Sequence, residues 1–108
     1  MNQKLIGTST DLRRSSLKRL LKLKEIVRII EAHNPLSALI AEQIYIKDKE
    51  FMREFDGFWS SSLTDSTSQG KPDTESLDLS FRFNNINNIF NVTTKPMIMD
   101  CDTGGLTE

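Results

Sequence analysis

Three short strand-like runs, each giving way to polar residues at its C-terminal end, constrain this chain more than any other feature. They are Ile26–Ile30 ahead of Glu31-Ala32-His33-Asn34, Phe55–Trp59 ahead of Ser60-Ser61-Ser62, and Met97-Ile98-Met99 ahead of Asp100-Cys101-Asp102. Ile26, Val27, Ile29 and Ile30 are β-branched, which favours strands, and the first predicted strand runs over 26–32. Helical signals separate the runs. Asn34-Pro35 is a turn and helix start, with Leu36, Leu39, Ile40 and Ile44 on one face. Leu77, Leu79, Phe81, Phe83, Ile86, Ile89 and Phe90 supply another helix, despite the poor helix formers Asn84, Asn85, Asn87 and Asn88. The order strand, helix, strand, helix, strand predicts an α/β architecture with parallel strands, which are buried on both faces and read as continuous apolar runs. Polar groups gathered at strand C-termini are what a (β/α)8 barrel sets around its active site.

A complete barrel of that kind takes about 200 residues or more, and the 108 residues here supply about three of its eight units. The expectation is therefore the N-terminal part of a single TIM-type α/β-barrel catalytic domain, with no complete domain present. Residues 1–24 form a leading helical segment and residues 25–108 the first three β/α units. Such a piece alone is expected to be inactive and poorly folded, with a parallel-sheet edge left unpaired. Ser9, Thr10 and Asp11 offer N-cap chemistry before Leu12, Leu17, Leu20, Leu21 and Leu23. The helix is expected to break near Lys24, one helix through Ala32 being the alternative. Tyr45 to Phe55 reads as a hairpin-like or irregular excursion. Ser60 to Gly70 reads, on composition, as a flexible linker, and Lys71-Pro72-Asp73 as a turn.

With 37% hydrophobic and 27% charged residues, the chain has the balance of a soluble globular protein. No run approaches the ~20 apolar residues of a membrane span, and Met1 to Gly7 leads into no apolar signal segment. A single cysteine, Cys101, excludes an internal disulfide framework and a multi-cysteine zinc site, so a reduced cytoplasmic setting is expected. The net charge of −1 conceals an asymmetry: residues 1–30 carry eight basic and two acidic groups, residues 31–108 six basic and thirteen acidic. A basic helix that engages nucleic acid or an acidic membrane surface is one reading of that head; it leaves the later motifs unexplained.

Asp100 and Asp102 are the sharpest chemical feature. Two residues apart on a strand, they share a face and point together at the barrel mouth, and two aligned carboxylates call for a cation, of which Mg²⁺ is the natural one. The spacing equally suits a solvated turn before Gly104-Gly105. Ser60, Ser61 and Ser62 offer hydroxyls and N–H groups to an anion, or form a mobile polar loop. Asp73, between Pro72 and Thr74, suits a turn cap. His33 reads as a strand-end polar residue, and Cys101, between two acids, does not read as a reactive thiolate.

Taken in order, Glu31-Ala32-His33-Asn34-Pro35-Leu36-Ser37-Ala38, Phe58-Trp59-Ser60-Ser61-Ser62-Leu63, Gly70-Lys71-Pro72-Asp73 and Met99-Asp100-Cys101-Asp102-Thr103-Gly104 resemble the phosphoenolpyruvate phosphomutase family, of the isocitrate lyase and phosphoenolpyruvate mutase superfamily. The resemblance runs from about Leu17 to the last residue. It implies an α/β barrel that binds Mg²⁺ and interconverts phosphoenolpyruvate and phosphonopyruvate, moving a phosphoryl group from oxygen to carbon at the opening of phosphonate biosynthesis. It implies a small-molecule substrate, no nucleic-acid or membrane partner, and a homo-oligomeric parent protein. By motif, Asp100 and Asp102 match the metal-site aspartates, and Ser61, Ser62 and Leu63 match the loop that holds the substrate carboxylate. Trp59 matches the aromatic opening that loop, and Asp73 the aspartate beside the transferring phosphoryl group. Typical members carry Gly where this chain has Ser62, and the stretch Tyr45 to Phe55 looks like an insertion. Phosphonopyruvate hydrolase and carbon–carbon lyases of 2-hydroxy acids, in the same superfamily, share the Asp-x-Asp metal site.

Overall fold

The computed structural model describes residues 13–104. The N-cap expected at Ser9 to Asp11, Leu12 and with them the first half of the leading segment 1–24 lie outside that range. Helix α1 (Ser16–Leu23) ends at Lys24, whose backbone turns extended with φ −117° and ψ 141°. The uninterrupted helix through Ala32 is thereby excluded. Strand β1 spans only Ile29–Glu31, shorter than the 26–32 expected, because Ile26 is 65% exposed and outside the ladder.

Asn34 opens helix α2 (Pro35–Gln43) with a capping box, its side chain accepting from Ser37 N–H at 2.8 Å and the Ser37 hydroxyl oxygen receiving the Asn34 N–H. The charged stretch that follows is a hairpin, strand β2 (Tyr45–Lys47) antiparallel to β3 (Met52–Glu54). Strand β4 (Gly57–Ser60) then enters the main sheet. The expected linker is instead helix α3 (Ser62–Ser68), which buries Ser62, Asp65 and Ser66. Composition misled there because polar residues are stable inside when each is hydrogen-bonded, and none of the described buried side-chain polar atoms lacks a partner. Helix α4 (Leu79–Phe90), capped by Asp78, starts two residues later than Leu77, and strand β5 (Met97–Met99) follows.

The main sheet has three parallel strands in the order β1-β4-β5. Ile30 pairs with Phe58, and Phe58 with Met97. Only β4 is buried along most of its length. β1 and β5 are the outer strands among the described residues and are half-exposed, so burial on both faces holds for the centre alone. Phe58 (0% exposed) meets Ala32, Ala38, Ala41 and Ile89 in a small core, against which Ile30 and Met97 pack. The alanines let α2 and α4 approach closely over that ring.

Two charged clamps fix the opposite, N-terminal edge of the sheet. Asp56 accepts the Arg28 N–H at 2.8 Å and the Lys24 ammonium at 2.6 Å. Arg13 donates to the carbonyls of Phe90, Thr93 and Lys95 and stacks 4.0 Å above the Phe90 ring. Two cations of the basic head are thus used within the protein.

Candidate active site

Parallel pairing brings the C-terminal ends of β1, β4 and β5 to one edge. The ladder continues past the strands: Ala32 N–H donates to the Trp59 carbonyl at 3.1 Å, and Asp100 N–H to the Ser60 carbonyl at 2.9 Å. Side chains then converge across that edge. Ser61 is the N-cap of α3, its hydroxyl oxygen accepting the Thr64 N–H at 3.2 Å. The Thr64 hydroxyl donates to Glu31 Oε2 at 2.7 Å, and the Ser62 hydroxyl to Asp100 Oδ2 at 3.2 Å.

Asp100 and Asp102 do not continue the strand, so the alternation argument for a shared face fails. β5 stops at Met99, and Asp102 takes φ 52°, in the left-handed region. Asp102 N–H donates to Asp100 Oδ1 at 3.0 Å, the contact an aspartate makes to the backbone two residues on in an Asx turn. Local turn chemistry, rather than strand pleat, relates the two residues.

Beneath this loop lies a group that the sequence did not single out. The Arg82 side chain, 2% exposed, donates to Asp65 Oδ2 at 2.9 Å, the Ser60 hydroxyl at 3.1 Å and the carbonyls of Ser60 and Asp100. It also stands 3.9 Å from Asp102 Oδ2. One guanidinium thus holds the ends of β4 and β5 together. The signal was present: Arg82 shares a helix face with Ile86 and Ile89, and all three are buried. A charge on an apolar face requires a buried partner, and Asp65 in the serine-rich stretch is that partner.

A second tie was also missed. Glu75, at φ 60°, accepts both the N–H (2.7 Å) and the hydroxyl (2.6 Å) of Thr103 on Oε1. These donors hold its carboxyl below the usual range. They bind the 73–75 turn to the Asp100 loop across a cleft of about 470 Å³ lined by Ser66, Glu75, Leu79, Arg82, Cys101 and Asp102, among others. Asp73 occupies an exposed position on that turn. Trp59 is half-buried in β4 between Glu31 and Ile98, whereas Leu63 is 59% exposed on α3. Of the sequence-derived residues, Ser61, Ser62, Asp100 and Asp102 are therefore gathered at one edge, while Leu63 faces solvent and Asp73 lies exposed on the turn that Glu75 ties to the Asp100 loop. His33 and Cys101 are exposed.

The donor set suits Mg²⁺ by its chemistry. Each Asp100 oxygen accepts one hydrogen bond and retains a lone pair, and Asp102 adds a second hard carboxylate. Mg²⁺ commonly takes one or two carboxylates and keeps waters and substrate oxygens. No group of three or more His, Cys, Asp or Glu converges on a metal position among the described residues.

Residues 17–108 match the family model of phosphoenolpyruvate phosphomutase. The solved phosphoenolpyruvate phosphomutase of Streptomyces platensis subsp. rosaceus is similar at 37% identity and a TM-score of 0.70, over 83% of this chain and 28% of that one. A phosphonopyruvate hydrolase structure is similar at 27% identity and a TM-score of 0.65, over 79% of this chain and 27% of that one. A phosphonopyruvate hydrolase complex with oxalate and Mg²⁺ is similar at 26% identity and a TM-score of 0.60, over 93% and 29%. The chain thus spans less than a third of the length of each. No curated protein matched the sequence.

Proposed function

The chain belongs to the phosphoenolpyruvate phosphomutase family, and we propose that it forms the first three β/α units of a barrel enzyme that interconverts phosphoenolpyruvate and phosphonopyruvate. On this reading the substrate is a small phosphorylated or phosphonylated keto acid, the setting is cytoplasmic, and the reaction is the carbon–phosphorus bond-forming step of phosphonate synthesis. The observation that carries it is the Asp100 N–H on the Ser60 carbonyl at 2.9 Å. That bond seats the Asp-x-Asp loop, which would hold the metal, against the serine segment, which would meet the substrate carboxylate.

Asp100 and Asp102 would hold Mg²⁺, which when bound supplies positive charge to the oxygens of a pyruvate enolate. The remaining work falls to the chain. Ser61 and the first N–H groups of α3 face the anionic end of the substrate. Trp59, half-buried at the end of β4, opens that substrate-binding segment. Asp73 stands at the phosphoryl group, where it either attacks phosphorus or steers it. Phosphoryl transfer passes through a loose transition state in most analyses, so catalysis is chiefly positioning and charge stabilisation. The basic-helix reading loses support, since α1 ends at Leu23 and Arg13 and Lys24 are engaged internally.

The test is ³¹P NMR of the full-length protein with phosphonopyruvate and Mg²⁺. Conversion to phosphoenolpyruvate is expected. Asp73→Ala is expected to abolish it while metal binding persists; near-native turnover would remove Asp73 from the mechanism. Similarity to phosphonopyruvate hydrolases favours one second reading, hydrolysis. Inorganic phosphate as the product would select it.

A further inference from the structure

We propose that Ser62 is a positioning residue for the Asp100 carboxylate, its hydroxyl serving that side chain and not the substrate. The inference rests on Asp100 being a metal ligand, as read above, and departs from the assignment of Ser62 to the substrate loop. Ser62 is 3% exposed and is the first residue of α3, on a turn fixed by the Ser61 cap. Its hydroxyl lies 3.2 Å from Asp100 Oδ2. An ionised carboxylate has no hydrogen to give, so the serine donates.

The other oxygen, Oδ1, receives the Asp102 N–H at 3.0 Å. Each carboxylate oxygen is thus held by a donor from a different segment, one on the helix after β4 and one on the loop after β5. The backbone of the same residue is clamped as well, its N–H on the Ser60 carbonyl and its carbonyl under Arg82. With both oxygens held, rotation about the terminal bond is restricted, and the free lone pairs keep a fixed direction. A ligand so oriented loses less freedom on binding a cation. Glycine at this position would keep the backbone N–H but have no donor for Oδ2. Ser62 therefore couples the substrate segment to the metal carboxylate.

The experiment measures Mg²⁺ binding to the full-length protein by isothermal titration calorimetry, with Mn²⁺ as an electron paramagnetic resonance probe. Ser62→Ala and Ser62→Gly are each expected to weaken the metal by about tenfold, the low end for loss of a partner that orients a ligand. Ser68→Ala, which removes a hydroxyl from the far end of α3 where it donates to the Asp65 carbonyl at 2.7 Å, is expected to leave metal affinity unchanged. Metal affinity within twofold of wild type in both Ser62 variants would overturn the inference alone, as would a raised KM for phosphonopyruvate with unaltered metal affinity. Equal weakening in Ser68→Ala would reduce the effect to helix stability and overturn it too. A wild-type protein that binds neither ion would sink the site reading and this inference together.

Discussion

Replacing Arg82 by Met should be among the most damaging single changes away from substrate. The side chain and its partner Asp65 are each 2% exposed. Methionine fills much of the same space but removes every donor. Asp65 then keeps the Ser60 hydroxyl at 3.3 Å, and the Ser60 and Asp100 carbonyls lose their guanidinium contacts. Breaking a buried ion pair by removing one partner costs about 3–5 kcal/mol, roughly two to nearly four decades in the folded-to-unfolded ratio at 1.36 kcal/mol per decade. Urea unfolding followed by circular dichroism reads the loss as a lower midpoint at constant slope. Arg82→Lys, which restores one cation but not the fork reaching two strand ends, should fall between wild type and Met. Arg82→Met with Asp65→Leu should recover at least about 2 kcal/mol relative to the single Arg82 change, since no charge is then left buried alone. A loss under about 1 kcal/mol for Arg82→Met, or strict additivity in the double variant, would refute the claim that this pair holds the site edge together.

Two further outcomes concern the other edge of the sheet. A Cβ at Gly57 would lie 2.7 Å from the Pro96 carbonyl oxygen and 3.1 Å from Ile29 Cδ1. Gly57→Ala should therefore force β4 from β5 and cost about 1–3 kcal/mol in the same assay; wild-type stability would show that the strands have slack. Burial pushes the Asp56 carboxyl up, but the Arg28 N–H and the Lys24 ammonium outweigh it, leaving its pKa below the ordinary value. A depressed folded pKa stabilises above the unfolded value near 4 and is lost as pH falls through the folded one. The melting-temperature gap between wild type and Asp56→Asn should accordingly be widest near neutral pH and shrink below pH 4, and a gap independent of pH would contradict the clamp.

Much of the architecture was legible in the residues. The apolar runs ending at Ile30, Trp59 and Met99 did become neighbouring parallel strands, because strands buried against helices need apolar residues without alternation. Asn34-Pro35 announced its helix through local capping chemistry, whereas the Asp78 cap of α4 emerged only from the structure. The serine stretch was misread for a physical reason. Composition reports the cost of burying polar groups but not the partners that offset it, and Asp65 finds Arg82 only 17 residues later in the chain. The aspartate pair was singled out on strand alternation, a basis the structure does not bear out, since it uses an Asx turn with Asp102 at positive φ.

Hydrophobic periodicity and turn chemistry are local properties, so the primary structure alone determined that this protein alternates strands with helices and gathers polar residues at one end of each strand. Family membership was likewise legible, as four ordered motifs. Which polar groups meet depends on contacts between residues far apart in the chain. Only the folded arrangement decided that Arg82 would bridge two strand ends, that Glu75 would tie the Asp73 turn to the Asp100 loop, and that the Ser62 hydroxyl would settle on a carboxylate. The Arg82 bond to Asp65 is shielded from water, the Ser62 bond partly so and the Glu75 tie not at all; where water is excluded the bond gains strength, and in each case folding brings together groups that composition records only one at a time.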